Sequence, residues 1–371
     1  MSSGLSSGDL FKVKFGRKGP LVTKLGFGGI PVQTVSQDEA ARIVRHAFEQ
    51  GIRFFDTARA YTTSEGCIGK ALEDVRDQVV IATKSVARDR EKIAGDFETS
   101  LQNLRTHYVD LFMFHNIANP AALRQILEDG AYDHISQEQM AGRIGLVGFS
   151  SHNVDTSIEA CRTGKFSFVE FPFNYLETQC MPGLLPLCRA MDMGFIVMKP
   201  FAGGALENAG AAVKWLLCKD VDVIIPGMKS TVQVDEVVAA SRAVEPLLQG
   251  VEHGKGPVEL VTPPLSDAEL QAIGNDIATL SKKFCRRCQY CLPCPNGIPV
   301  NFVVSAEFLF RRSGWPKPGS ESIAGLKKAL ECEACGICEA RCPYELPLAT
   351  LIKPTAERLL AVIEEKAREQ G

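Results

Sequence analysis

Eight of the chain's 13 cysteines fall between Cys285 and Cys342, in two runs with a repeating interval. The first run is Cys285, Cys288, Cys291 and Cys294, followed by Pro295; the second is Cys332, Cys335, Cys338 and Cys342, followed by Pro343. Thiolates at every third position of a curled backbone can hold three corners of an iron–sulfur cube. A fourth cysteine, ahead of a proline, comes from the other run and holds the remaining iron. On this rule Cys285, Cys288, Cys291 and Cys342 hold one 4Fe–4S cluster, and Cys332, Cys335, Cys338 and Cys294 hold a second. The last third of the chain is therefore expected to fold around metal.

The second run has the spacing of the bacterial two-cluster ferredoxins, which it resembles. The first is one residue shorter before its last cysteine, so its local turn must differ. Structural zinc prefers two Cys-x-x-Cys pairs separated by a longer gap, which suits these crowded runs poorly. Disulfides belong to small secreted domains in oxidising compartments, not to a chain of 371 residues. The remaining cysteines, Cys67, Cys161, Cys180, Cys188 and Cys218, lie in apolar or amphipathic segments and read as small buried hydrophobes.

Ahead of the cysteines, short apolar runs alternate with amphipathic stretches. Strands are expected at Thr23–Gly28, Ile52–Asp56, Val79–Lys84, Val109–His115, Ile144–Phe149, Ser167–Phe171, Phe195–Pro200 and Val221–Pro226. Helices are expected at Gln37–Gln50, Glu65–Leu72, Arg90–Leu104, Asn119–Ala141, Asp155–Arg162, Pro182–Met193, Ala209–Leu217 and Val232–Leu248. Ser36 and Glu39 form a capping box before the first helix. Eight strand–helix units imply an α/β fold, a (β/α)8 TIM barrel. An open doubly wound sheet is the competing fold, weakened because no Gly-x-Gly-x-x-Gly follows an early strand.

Residues 1–19 read as an N-terminal tail or hairpin, 20–248 as the barrel, and 249–264, rich in Gly and Pro, as a linker. Residues 265–371 read as a ferredoxin-like α-helical module. Within it, helices are expected from Ser266 to about Lys283, over Asn301–Arg312 and over Thr350–Glu369, the last packing back on the barrel, with a turn at Gly314–Gly319. Apolar residues make up 45% of the chain and charged residues 23%, with a net charge of −3. That balance offers no basic surface for nucleic acid or anionic membrane. No apolar run approaches the ~18 residues of a membrane span, and the first residues lack a signal-peptide core. Cytoplasm is the expected compartment, in keeping with reduced thiols.

In a barrel of this kind chemistry gathers at the carboxyl ends of the strands. There the second strand ends in Asp56 with Tyr61 following, the third in Lys84 and the fourth in His115. Singly, each has an ordinary reading as turn, packing or solvated residue. Together they form a proton-donor set: a buried lysinium favours phenolate, a carboxylate orients the lysine, and a histidine hydrogen-bonds a substrate oxygen.

Residues from about Thr23 to Leu248 resemble the aldo-keto reductases. The likeness rests on Phe55-Asp56-Thr57-Ala58 with Tyr61, on Thr83-Lys84, on Asp110-Leu111 with His115, on Gly148-Phe149-Ser150, and on Ile225-Pro226-Gly227. The complete chain resembles the branch with a ferredoxin-like C-terminal extension. The resemblance implies hydride transfer between a nicotinamide cofactor, NADP or NAD, and a carbonyl or alcohol. Tyr61 would be the general acid in reduction and the base in oxidation, Lys84 with Asp56 would tune it, and His115 would orient the carbonyl. By position Ser150, Ser151 and Glu170 would face the nicotinamide amide, Met198 would take the place of a stacking aromatic, and Pro200, Gly203 and Gly204 would cover the pyrophosphate. Lys229, Ser230, Gln233 and Glu236 would approach the adenosine. The family often has asparagine at Ser151, glutamine at Glu170 and an arginine at Gln233. NADP versus NAD stays open here.

Hydride chemistry moves two electrons and each cluster one, so coupling the halves calls for a flavin or similar mediator, for which the sequence shows no fingerprint. Three functions are compatible: an NAD(P)-dependent aldo-keto reductase-type oxidoreductase linked to iron–sulfur electron transfer, an ordinary reductase with purely structural clusters, or a non-enzymatic electron carrier on a barrel scaffold. A small carbonyl or alcohol is the expected substrate and a redox protein a further partner. Neither nucleic acid nor membrane is expected, and oligomeric state is not legible.

Overall fold

The computed structural model describes residues 10–16, 18–253 and 258–369. Residues 1–9 and 17 of the N-terminal segment, 254–257 of the linker and 370–371 lie outside the described residues. The chain forms two compact units. One runs to Ala202 and again from Leu206 to Gln271; the other comprises Gly203–Ala205 and Ala272 onward.

The first unit opens with an antiparallel hairpin, β1 (Lys12–Lys14) and β2 (Leu21–Thr23). Eight parallel strands follow: β3 (Phe27–Gly28), β4 (Phe54–Asp56), β5 (Val80–Ser85), β6 (Val109–Phe114), β7 (Ile144–Ser150), β8 (Phe168–Pro172), β9 (Gly194–Met198) and β10 (Val223–Ile224). Each pairs with its sequence neighbour. The ring closes where β3 meets β10, through parallel bridges Leu25–Ile224 and Gly28–Gly227 and the bond from Gly26 N to Ile224 O at 2.8 Å. Parallel neighbours need a crossover, which the intervening helices supply.

Inside the ring, Phe54, Val80, Ala82, Leu111, Met113, Phe168, Ile196 and Val223 form one apolar cluster, joined by Val13, Phe15 and Val22 of the hairpin. Phe15 meets Phe168 edge-on at 5.5 Å. A Cβ on Gly194 would stand 2.6 Å from the Phe15 ring, so only glycine fits beneath this plug. Outside the ring, Ser36 caps the helix Gln37–Glu49 by accepting from Glu39 N. The segment Asn119–Ala141 forms two helices, Pro120–Glu128 and Ala131–Met140, because Gly130 between them takes φ +80°. The described part of the linker is anchored: Asp220 N donates to Val258 O at 2.7 Å and Leu260 N to Cys218 O at 2.8 Å. Its Gly and Pro exclude regular structure but not strapping to a neighbour.

Below the amino ends of the strands lies a buried charge cluster. Lys24 Nζ donates to Lys219 O at 2.8 Å and lies 3.4 Å from His253 Nδ1, while Arg189 donates to Asp220 O at 2.8 Å and Asp222 Oδ2 at 3.1 Å. Burial, with the Lys24 and Arg189 charges, pulls His253 down to about 3, and burial pulls Lys24 down to about 7 against the attraction of Asp222 and Asp220. The unfolded chain protonates His253 near its ordinary 6.5, whereas the folded chain resists, so this stability is lost as pH falls through that window. His253→Gln is expected to flatten the fall of Tm between neutral pH and pH about 4 relative to the wild-type chain. Equal pH slopes in the two melts would refute the assignment.

In the second unit, Ile298, Val300, Val303, Phe310, Leu326, Ala329, Leu348 and Ile352 form a core together with Cys285, Cys291 and Cys338. The segment expected as one helix over Asn301–Arg312 is two, Val300–Val303 and Ala306–Ser313, and a further helix spans Glu321–Ala329. The last helix, Leu348–Glu369, buries Ile352, Ala356, Leu359 and Ile363 in this same core. Its apolar stripe thus serves its own unit. Among the described residues no helix is long and apolar enough to cross a membrane.

Candidate active site and cysteine cavities

Parallel strands bring their carboxyl ends to one rim. Asp56 ends β4, Lys84 is the penultimate residue of β5, His115 follows β6 and Glu170 is central in β8. Lys84 Nζ donates to Asp56 Oδ1 and, at 3.0 Å, to Glu170 Oε2. The three side chains are 0%, 3% and 2% exposed. Burial opposes the lysinium; Asp56, Glu170 and Tyr61 together outweigh it and hold the Lys84 pKa above its ordinary range. Burial first, then the Glu170 charge, pushes Asp56 well above the usual carboxylate range, against the pull of Lys84.

Lys84 Nζ lies 5.4 Å from the Tyr61 ring centroid, and His115 stands edge-on to that ring at 5.7 Å and 84°. Tyr61 and His115 are both half-buried. The four residues read from the strand ends are therefore gathered in one place, with a fifth. Glu170, expected against a nicotinamide amide, lies on the lysine. Its pairing had no local signal, since β8 and β5 are joined only through the ring.

A supporting layer surrounds this group. Glu65 is buried and matched by Arg59 Nη1 at 2.7 Å, Thr83 Oγ1 at 2.8 Å and Asn103 Nδ2 at 3.0 Å. Arg88 donates to the carbonyls of His115 and Asn116, fixing the loop that carries the histidine; burial pulls its pKa down to about 10. Ser150 Oγ accepts from Asn116 N at 2.8 Å, and Ser151 Oγ donates to Ile117 O at 2.7 Å. These two serines shape the same loop. Met198 and Lys199 are half-buried at the end of β9, with Lys199 Nζ 3.3 Å from His152 Nδ1. Neither Arg88 nor Lys199 was singled out in the sequence, because both follow strand ends by residues that carry no motif.

Ser230 caps the helix Thr231–Leu248 by accepting from Gln233 N at 3.2 Å, and Gln233 Oε1 accepts from Lys229 N at 2.8 Å. Lys229 and Glu236 are exposed and Pro200 is buried. Gly203 and Gly204 take φ +70° and +99°, and among the described residues nothing lies within 4 Å of where a Gly204 Cβ would stand.

In the second unit, each predicted quartet lines its own cavity. Cys285, Cys288, Cys291 and Cys342 line one, together with Arg286, Tyr344 and Leu346. Cys294, Cys332, Cys335 and Cys338 line the other, together with Ile298 and Ile352. The loops repeat one backbone device: the second and fourth residues after the leading cysteine have positive φ, at Arg287 and Gln289 in one and at Ala334 and Gly336 in the other. That alternation curls each loop so that its cysteines face inward. Arg287 N also donates to Cys285 Sγ at 3.4 Å. Burial pushes the Cys285 thiol up to about 11 and Cys291 up to about 12, an opposition to thiolate that metal coordination overcomes.

The sequence model of the aldo/keto reductase family matches residues 24–211, just over half the chain, and that of the 4Fe-4S dicluster domain matches residues 284–347. The chain belongs to the aldo/keto reductase family and carries a C-terminal 4Fe-4S dicluster domain. It is similar to L-galactose dehydrogenase of Arabidopsis thaliana, at 27% identity over 305 residues, covering 67% of this chain and 95% of the plant protein. It is also similar to Probable aldo-keto reductase 1 of Glycine max, at 27% identity over 217 residues, covering 53% of this chain and 61% of that relative, less than two thirds of its length. An aldo-keto reductase of Bacillus halodurans in its holo form shares the fold at TM-score 0.56 and 22% identity, covering 72% of this chain and 96% of that one. A Klebsiella pneumoniae aldo/keto reductase solved with NADP and acetate does so at TM-score 0.55 and 19% identity, covering 71% of this chain and 94% of that one.

Proposed function

We propose that this protein interconverts a carbonyl and an alcohol with an NAD(P) cofactor, and that its C-terminal unit carries two 4Fe–4S clusters that pass single electrons. The observation that carries the reading is the Lys84 ammonium, fully buried and 5.4 Å from the Tyr61 ring centroid, with His115 edge-on beside it. A cation in so dry a place stabilises phenolate, so Tyr61 can release a proton to a substrate oxygen in reduction and take one back in oxidation. His115 orients that oxygen, and Arg88 holds the histidine's loop.

A nicotinamide cofactor bound at the rim would supply or accept the hydride. Ser150, Ser151 and Met198 are the residues to meet its ring, Pro200, Gly203 and Gly204 its pyrophosphate, and Lys229, Ser230, Gln233 and Glu236 its adenosine. The presence of NADP in the Klebsiella protein of this fold supports a nicotinamide in this role.

Each cysteine quartet lines its own cavity, and three closely spaced cysteines joined by a fourth from the other run are the donor set of a 4Fe–4S cluster. Cys291→Ser and Cys335→Ser are each expected to lower iron content from roughly eight to roughly four atoms per chain, each erasing a different paramagnetic signal from the reduced protein. Loss of the same signal in both variants would overturn the two-quartet assignment.

A second reading is favoured by the membership of Cys285, Cys291 and Cys338 in the second unit's apolar core: the clusters staple the fold. Anaerobic rapid mixing with NADH or NADPH separates the two. Cluster bleaching on the turnover timescale supports electron transfer, and clusters that stay oxidised through steady turnover support the staple.

A further inference from the structure

One ammonium lies between two carboxyl groups at the barrel rim. Among the described residues Lys84 is the only cation paired with either Asp56 or Glu170. Arg59 is paired with Glu65, and Arg88 donates to backbone carbonyls. With every group ionised the trio would carry an unbalanced negative charge in a place almost closed to water, which is strongly disfavoured. Two carboxylates in one site avoid this when one keeps a proton. Both carboxyls reach the same buried nitrogen, Asp56 through Oδ1 and Glu170 through Oε2.

We infer that Asp56 and Glu170 share one proton across the Lys84 ammonium, giving the site a second exchangeable proton behind the one carried by Tyr61. Glu170 is then a positioning residue: it touches neither substrate nor reacting atoms, and acts through Lys84. The use of the stored proton rests on the proposed carbonyl chemistry. When Tyr61 has given its proton to the substrate oxygen, a Lys84 N–H breaks as the Tyr61 O–H is remade. The carboxyl O–H breaks as that N–H is restored, leaving both carboxylates charged until a proton from water resets the pair. The groups facing Tyr61 in this scheme are Lys84 from β5, His115 after β6, and, behind the lysine, Asp56 from β4 and Glu170 from β8.

The test is infrared difference spectroscopy on the full-length, cluster-loaded protein at neutral pH without substrate. The wild-type chain is expected to show the carbonyl stretch of a protonated carboxylic acid, shifted in D2O, and both Glu170→Gln and Asp56→Asn are expected to lose it. A merely structural Glu170 would not produce that band. Absence of the band in the wild-type chain, or its survival in Glu170→Gln, overturns the inference, and the first of these needs no variant to fold. The band does not depend on turnover, so a protein that shows it yet reduces no carbonyl keeps the shared proton and loses the proposed reaction. For the reserve role, Glu170→Gln is expected to fall further behind wild type in later turnovers than in the first. A deficit of the same size in every turnover would mean that the proton is stored and not used.

Discussion

Tyr61→Phe is expected to lower kcat for carbonyl reduction by about 100- to 10,000-fold, the usual contribution of a positioned general acid. That corresponds to about 3 to 5 kcal/mol of barrier. The substitution removes one oxygen and leaves the ring, so the edge-on contact with His115 and the position over Lys84 remain available. The Tm should therefore stay close to that of the wild-type chain, and KM should change far less than kcat, because the hydroxyl acts on the developing oxyanion rather than on ground-state binding. Steady-state kinetics over a panel of aldehydes and ketones, with thermal melts alongside, gives both readings. A variant that keeps more than a tenth of the activity would remove Tyr61 from the mechanism, whatever the fate of the clusters. Loss of activity with a collapsed Tm would instead assign the phenol a packing role.

Much of this site could be read from the chain before any coordinates, for a physical reason. A parallel barrel converts the last polar residue of each apolar run into a neighbour of all the others. Asp56, Lys84 and His115 needed only that rule, and the cysteine quartets needed only their spacing. What the sequence hid depends on pairings with no local signature. Glu170 sits among Phe168, Val169 and Phe171 and reads as one polar position in a buried strand; its commitment to Lys84 exists only once the ring is closed. Ser230 and Gln233 carry the capping-box pattern, a local signal that competes with a ligand-binding role for the same side chains.

The strand ends show a similar limit. Thr23–Gly28 and Val221–Pro226 are apolar over six residues each, yet the named strands β3 and β10 are two residues long. Hydrophobicity reports burial, and around each two-residue ladder the neighbouring residues make single bridges and bonds across the closure, Leu25 to Ile224 and Gly28 to Pro226 among them, rather than a continuous ladder. In the cysteine loops, Arg287 and Gln289 adopt a backbone region that favours glycine. Side-chain type gave no warning, since the conformation serves the inward-facing sulfurs between which these residues lie.

The largest expected effect on stability comes from Lys84→Met. The methionine nearly fills the volume but leaves Asp56 and Glu170 buried without their cation. Breaking a buried ion pair from one side costs about 3 to 5 kcal/mol, or a fall in Tm of roughly 6 to 20 °C for a unit of this size. The sign of the pH dependence follows from the carboxyls left behind. Unpaired and dry, they bind protons more tightly in the folded than in the unfolded chain, so the variant gains relative stability as pH falls, and its deficit is smaller at pH about 5 than at pH about 8. The wild-type pair behaves oppositely at the alkaline end: the lysine's folded pKa lies above its unfolded 10.5, so its contribution is full below that value and is lost as pH rises through the folded pKa. Adding Asp56→Asn and Glu170→Gln to Lys84→Met removes the stranded charges and should restore most of the lost Tm, since a buried ionic group can be exchanged for neutral residues with little net loss. The same triple variant should remain inactive, because nothing is left to stabilise the Tyr61 phenolate. Recovery of stability without recovery of turnover would separate the lysine's role in holding the barrel rim together from its role in proton transfer. A triple variant as unstable as the single one would show that the ammonium stabilises the rim by something other than the two carboxyl groups it touches.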